Sequence, residues 1–130
     1  MTWDGRYKIE RTLGEGGMGR VVFAHDLTAA GRSVALKILL PEYRDTASTF
    51  LREYVTQRTL YHPVIPRVHD LGFAHHERGE VPYFTMEYCP GVPLVSAIKS
   101  LKQLDRAWPW FTELLRALDY LHSQGWLHRD

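Results

Sequence analysis

LGEGGMGRVVFAH, residues 13–25, decides how the rest of the chain is read. Gly14, Gly16 and Gly19 make the pattern G-x-G-x-x-G. By itself that pattern fits a dinucleotide-binding turn, a hairpin that covers phosphates, or a plain glycine-rich loop. The residues that follow separate these readings. A dinucleotide-binding turn runs into a helix whose N-terminus holds the pyrophosphate. Here RVVFAH follows, β-branched and aromatic, a poor helix start and a good strand. The glycines are therefore expected at the tip of a β-hairpin, where backbone N–H groups can approach phosphate oxygens.

Working outward, RYKIERTL before the glycines alternates Tyr7, Ile9 and then Leu13, as a strand does. After the hairpin, DLTAAGRS is a turn by composition, and SVALKILL is a third strand that Pro41 stops. The period then changes. Phe50, Leu51, Tyr54, Val55 and Leu60 follow helical spacing, with Thr46 or Ser48 as cap, until HPVIP breaks the helix. RVHDLGFAHHERGEVPYFTMEY reads as two more strands around a polar turn. Five antiparallel strands with one helix inserted after the third are expected. From Pro90 the character is helical. Leu94, Ile98 and Leu101 share one face of a first helix. Phe111, Leu114, Leu115, Leu118 and Leu121 share a face of a second, with Pro109 in its first turn and Gly125 as its stop. The shift at CPGVP reads as a hinge between residues 1–89 and 90–130. The fold class is α+β.

Bulk composition narrows the function classes. The chain has 130 residues, 45% apolar and 24% charged, which are ordinary globular values. A net charge of +1 without a basic stripe argues against nucleic acid as a partner. Cys89 is the single cysteine, which rules out an internal disulfide and a cysteine-based zinc site. His62, His69, His75 and His76 match no metal-ligand spacing, and no metal site is expected among them. The N-terminus lacks a signal-peptide pattern, and no apolar run reaches membrane-spanning length. A cytoplasmic setting is expected.

Lys37 lies in VALKIL, 18 residues after Gly19 and one hairpin later. A lysine among apolar strand residues must reach water or find an anion. In a meander it sits beside the second strand, under the glycine hairpin. A cation there needs a carboxylate to hold it. Glu53 borders the apolar face of the inserted helix and is the candidate; the plainer alternative is an exposed residue in a weak surface pair.

With these elements in order, the chain resembles the eukaryotic-type protein kinases, whose signatures include a glycine-rich loop, V-A-I-K, a helical Glu and H-R-D. Here they stand as GEGGMGRV, VALK, REY and HRD; the GEGGMG wording is most similar to bacterial Ser/Thr kinases. The resemblance covers nearly all of the chain. It implies a kinase N-lobe of five strands and one helix, then the first helices of a mostly helical C-lobe. It also implies roles. Gly14, Gly16 and Gly19 would cover the ATP phosphates. Lys37 would contact the α- and β-phosphates, and Glu53 would orient it. Leu13, Val21 and Ala35 would sandwich adenine, with Met86 at the back of the pocket. The backbones of Glu87 and Cys89 would bond to the adenine edge. Asp130 would be the catalytic base. Arg129 would pair with a phosphate on an activation loop. His62 and His128 would be structural. The family's main Mg²⁺ ligands come after the H-R-D motif, so the chain by itself is expected to be catalytically incomplete.

Further expectations follow from the same resemblance. Trp110, Phe111, Leu114, Leu115, Leu118 and Trp126 are expected to leave an apolar stripe over residues 106–126. That stripe would favour self-association or a partner chain. A protein substrate is implied. Two rival readings are a non-catalytic nucleotide- or partner-binding module, pseudokinase-like or truncated, and a small-molecule kinase of related fold. The intact Lys37, Glu53 and Asp130 weigh against the first, and the faithful HRD weighs against the second.

Overall fold

A computed structural model describes residues 2–16, 19–77, 79–91, 99 and 108–125. Two compact units are present, one formed by Met1–Thr59 with Pro66–Cys89, the other by Leu60–Ile65 with Pro90–Asp130.

The first unit is an antiparallel sheet with one helix. Its strands are β1 (Thr2–Trp3), β2 (Tyr7–Gly16), β3 (Gly19–Asp26), β4 (Arg32–Leu39), β5 (Val68–His76) and β6 (Gly79–Glu87), in the order β1-β2-β3-β4-β6-β5. The five expected strands are present, and β1 is a sixth. Asp4 and Gly5 both take positive φ, 52° and 63°, and Arg6 N–H donates to Trp3 C=O at 3.0 Å. An Asp-Gly pair favours this kind of tight hairpin turn, and that signal identifies β1. The DLTAAG turn is built around Asp26. Its carboxylate accepts from Thr28 N–H and Thr28 Oγ1, and its carbonyl accepts from the N–H groups of Ala29 and Gly31.

Strand register sorts the side chains onto two faces. Val21 lies opposite Lys37, Phe23 opposite Ala35, Ala35 opposite Met86, and Lys37 opposite Phe84. These residues share one face. Val22, Ala24, Val34, Leu36, Ile38, Val81 and Tyr83 lie on the other and form a buried cluster with Tyr7 and Ala74. Tyr83 is its centre. It makes edge contacts with Trp3 and Tyr7 and donates to Asp4 Oδ2 at 2.5 Å. Gly72 faces it across β5 and β6, and any side chain there would collide with the Tyr83 ring.

Strand β2 departs from simple alternation. Its register slips between Ile9 and Arg11 and again between Thr12 and Gly14, leaving Glu10 and Leu13 as bulged residues. Each bulge exchanges the faces of the residues that follow. Ile9 therefore packs against the Tyr7 cluster, whereas Leu13 does not join it and is 41% exposed. The expected alternation of Tyr7, Ile9 and Leu13 on one face is corrected on this point.

Helix α1 (Ala47–Arg58) follows a 3₁₀ turn over Pro41–Thr46. Phe50 and Tyr54 are buried and pack on Phe84, at ring-centroid distances of 5.2 and 5.6 Å. With Leu39 they make a second cluster, on the Lys37 face of the sheet. Two helix expectations need correction. Val55 is exposed, one position beyond the aromatic stripe. Thr46 stands at the cap position, but its hydroxyl donates to Tyr43 C=O at 2.6 Å and makes no cap bond. The preceding 3₁₀ turn offers that acceptor first.

In the second unit, helix α2 spans Trp108–Ser123. Pro109 lies in its first turn, and Gly125, at φ 84°, follows its end, where a left-handed residue closes a helix. Ala117 is buried, while Trp108, Trp110, Phe111, Leu114 and Leu115 are exposed. Tyr120 ties this helix to residues 60–65. Its hydroxyl accepts from Tyr61 N–H at 2.7 Å, and its ring lies 5.3 Å from that of His62, whose Nδ1 accepts from Val64 N–H. His62 is thus structural, as expected. The helix expected around Leu94, Ile98 and Leu101 lies outside the described residues, as do Trp126, His128, Arg129 and Asp130.

Candidate functional site

The site is built on the Lys37 face of the first unit. Strand β4 carries Lys37 between Leu36 and Ile38, which point to the opposite face and are buried. Strand alternation leaves Lys37 alone among them on the α1 side. On α1, Glu53 lies between Phe50 and Tyr54, and the packing of those two rings on Phe84 turns its carboxylate toward the sheet. Lys37 Nζ donates to Glu53 Oε1 at 2.6 Å, and the ammonium lies 6.0 Å from the centroid of the Phe84 ring. Both partners remain partly open to solvent, at 26% and 34% exposure. A lysine held this way keeps its geometry while leaving N–H donors available to a further anion.

The glycines lie directly along the same face. Gly14 pairs with Val21, and Gly16 with Gly19, closing the hairpin. Glu15 and Arg20, opposite one another, make an ion pair at 3.1 Å just below its tip. Gly17 and Met18 are outside the described residues. The three glycines of the pattern differ in kind. A Cβ on Gly19 would sit 2.7 Å from Ile38 C=O and 4.0 Å from Lys37 Cε, so close strand packing requires glycine there. Among the described residues, a Cβ on Gly14 or Gly16 would meet no atom within 4 Å. Packing does not explain those two.

Next to Lys37 the face becomes apolar. Ala35 is buried, Val21 and Met86 are half-buried, and Leu13 stands at the β2 bulge beside Gly14. Beyond Glu87, the last residue of β6, the chain runs through Tyr88 and Cys89. Glu87 N–H donates to Arg67 C=O at 2.7 Å, which anchors the start of this segment. Cys89 is exposed, and its thiol titrates above the ordinary range, through partial desolvation first and the Glu87 carboxylate second. It is not an activated thiol.

The structure thus brings Leu13, Gly14, Gly16, Gly19, Val21, Ala35, Lys37, Glu53, Met86, Glu87 and Cys89 into one unit. Asp130 falls outside the described residues. A cleft of about 270 Å³ lined by Trp3, Ile9, Val22 and Ile38 opens on the opposite face and is separate from this site. Sequence reasoning missed two sets of neighbours. Phe84 supports the Lys37 ammonium, and strand alternation in PYFTME could have placed it. Arg11, Phe23 and Tyr88 form a cluster at the mouth of the site, hidden from sequence by the bulge at Glu10.

Comparison with known proteins matches this geometry. The protein kinase domain family matches residues 7–130. A probable serine/threonine-protein kinase of Streptomyces coelicolor is 38% identical over 97% of this chain, which covers 19% of that relative. Serine/threonine-protein kinase PknD of Chlamydia trachomatis is 36% identical over 96% of the chain, covering 15% of it. Serine/threonine-protein kinase PknA of Mycobacterium tuberculosis is 36% identical over the whole chain, covering 31% of it. The chain spans less than a third of the length of each of these relatives. Membership implies ATP and a divalent cation. From the glycine hairpin to the lysine–glutamate pair, in sequence and in space, the chain belongs to the protein kinase family.

Proposed function

We propose that the chain binds ATP on the Lys37 face and serves transfer of its γ-phosphoryl group to a serine or threonine hydroxyl of a protein. The observation that carries this reading is the 2.6 Å bond between Lys37 and Glu53 beside the glycine hairpin. Lys37 would place its positive charge on the α- and β-phosphates, held in position by Glu53 rather than by the nucleotide. Gly14 and Gly16 would let the hairpin backbone approach the phosphates. Leu13, Val21 and Ala35 would flank adenine, Met86 would close the rear, and the backbones of Glu87 and Cys89 would meet its edge. In the transfer itself the acceptor oxygen bonds to the γ-phosphorus and the bond to the ADP oxygen breaks. Asp130 would take the hydroxyl proton, and Arg129 would pair with a phosphorylated activation segment. A divalent cation would neutralise developing phosphate charge. Among the described residues no group of three His, Cys, Asp or Glu side chains forms a cation site, so none is assigned to it.

Nucleotide titration and a phosphorylation assay on the full-length protein test this reading. Lys37→Ala is expected to abolish measurable transfer, and Glu53→Gln to reduce it while the fold survives. Unchanged ATP affinity and unchanged transfer in Lys37→Ala would sink the proposal.

The exposed row of Trp108, Phe111, Leu114 and Leu115 on α2 supports a second inference, that this helix is covered by another copy or a partner chain. Sedimentation over a concentration series tests it, and a monomer at every concentration would count against it. ATP use and a free Cys89 thiol support a cytoplasmic setting for this segment. No helix among the described residues is long and apolar enough to cross a membrane.

A further inference from the structure

We infer that Arg11, with Phe23 and Tyr88, positions the segment that meets adenine, and so sets nucleotide affinity and base selectivity. The inference rests on the ATP reading above and extends it to residues outside the motif set. The bulge at Glu10 carries Arg11 to the Lys37 face, directly opposite Phe23. Its guanidinium carbon lies 4.5 Å from the Phe23 ring centroid. From there Arg11 Nη2 donates to Tyr88 Oη at 3.0 Å. The Tyr88 ring in turn packs on Phe23, at 4.4 Å and 37° between planes. Three side chains from β2, β3 and the segment after β6 thus close a triangle, each touching the other two.

The consequence is mechanical. Tyr88 lies past the last residue of β6, between the two residues whose backbones would meet adenine. Its side chain is fixed at two points, to Arg11 on β2 and Phe23 on β3, the strands that carry Leu13 and Val21. Phe23 is buried beside Ala35, opposite it in register, and so transmits a fixed reference from the floor of the site. The triangle sets the separation between that floor and the 87–89 backbone. An arginine suits the task because one planar group stacks on a ring and donates in its own plane at once. Lysine can keep the charge over the ring but does not offer the same planar donor.

A positioning role of this kind acts on nucleotide binding more than on phosphoryl transfer, because the contacts that close the triangle join β2, β3 and the 87–89 segment rather than Lys37 or Glu53. Steady-state kinetics of the full-length protein with ATP and GTP test it. Arg11→Ala is expected to raise KM for ATP roughly three- to tenfold, the loss of about one charged hydrogen bond and its stacking at a partly exposed site. The ratio of kcat/KM for ATP over GTP is expected to fall, with the effect on KM rather than kcat. Tyr88→Phe keeps the ring contact and should give a smaller rise. Arg11→Lys should fall between wild type and Arg11→Ala. The double variant should be no worse than Arg11→Ala, since both changes break one link. A lowered melting temperature in Arg11→Ala with KM and base selectivity unchanged would overturn the inference and leave a purely structural contact. Ala35→Leu, which adds bulk to the floor of the site, separates this from failure of the ATP reading. If Ala35→Leu leaves ATP affinity untouched, the nucleotide site is elsewhere. If it weakens ATP and Arg11→Ala does not, the positioning role alone is wrong.

Discussion

Replacing the three glycines of the hairpin one at a time should split them into two classes. All three lie on the Lys37 face by register, yet the space beside them differs. In Gly19→Ala the new methyl group would press on the Ile38 carbonyl oxygen at 2.7 Å, well inside van der Waals contact and against backbone rather than a movable side chain. Overpacking of that kind costs about 1–3 kcal/mol. For a chain of this size that lowers the melting temperature by at least about 3 °C. Gly14 and Gly16 have no positive φ, and no atom of the described residues lies within 4 Å of an added Cβ. Alanine there removes freedom from the unfolded chain without strain and should stabilise by about 0.4–1 kcal/mol. The same two substitutions put methyl groups where the hairpin is proposed to meet phosphate oxygens. ATP affinity should therefore fall about tenfold or more, equivalent to about 1.4 kcal/mol or above. Differential scanning calorimetry without nucleotide gives the first quantity, and ATP titration by calorimetry gives the second. Stability raised with affinity lost is the signature of a glycine kept for a ligand. If Gly14→Ala and Gly16→Ala bind ATP like the wild type, the hairpin does not cover phosphates. If Gly19→Ala melts like the wild type, the close approach to β4 is misplaced.

Two further outcomes concern the scaffold. Asp26, 1% exposed, accepts from Arg6 Nε and Nη2 at 2.9 and 2.8 Å and from Thr28 twice. Asp26→Ala should cost about 2–4 kcal/mol in urea denaturation, at the lower end of breaking a buried pair because Arg6 is one-third exposed. The Arg6 hydrogen bonds, with Thr28 adding to them, hold the Asp26 carboxyl below the usual carboxylate range. A depressed pKa contributes stability that is complete above the unfolded value near pH 4. It drains away as pH falls through that value and toward the folded one. Wild type should therefore lose stability below about pH 4 more steeply than Asp26→Asn, and acid titrations in which the two lose stability equally steeply would refute this. Phe50→Ala should cost about 3–5 kcal/mol by leaving a cavity against Phe84. It should also weaken ATP binding, because α1 would no longer hold Glu53 against Lys37; a stable variant with full ATP affinity would contradict the packing argument.

The local features that chain order alone can carry are legible in the sequence. A β-branched run after glycines means a hairpin, a proline ends a strand, and a 3.6-residue aromatic spacing means a buried helix face. Those rules depend on neighbours within a few positions, and Lys37, Glu53 and the three glycines could be named from them with the kinase resemblance. The faces of β2 were not legible, because a bulge leaves no mark in an alternating pattern and shows only when a partner strand sets the register. The Thr46 cap failed for a related reason, since a competing carbonyl from the 3₁₀ turn is visible only in space.

Sequence by itself therefore determined five of the six strands, the inserted helix and their order, and which residues of the motif set carry charge or lack a side chain. Tertiary structure decided which of those residues face one another. It turned Arg11 toward Phe23 and Tyr88, moved Leu13 out of the core, and separated a glycine required by packing from two that packing does not need. The physical reason is that propensity is a property of a residue and its near neighbours. A register shift or a 2.7 Å approach is a property of two strands held together by everything else.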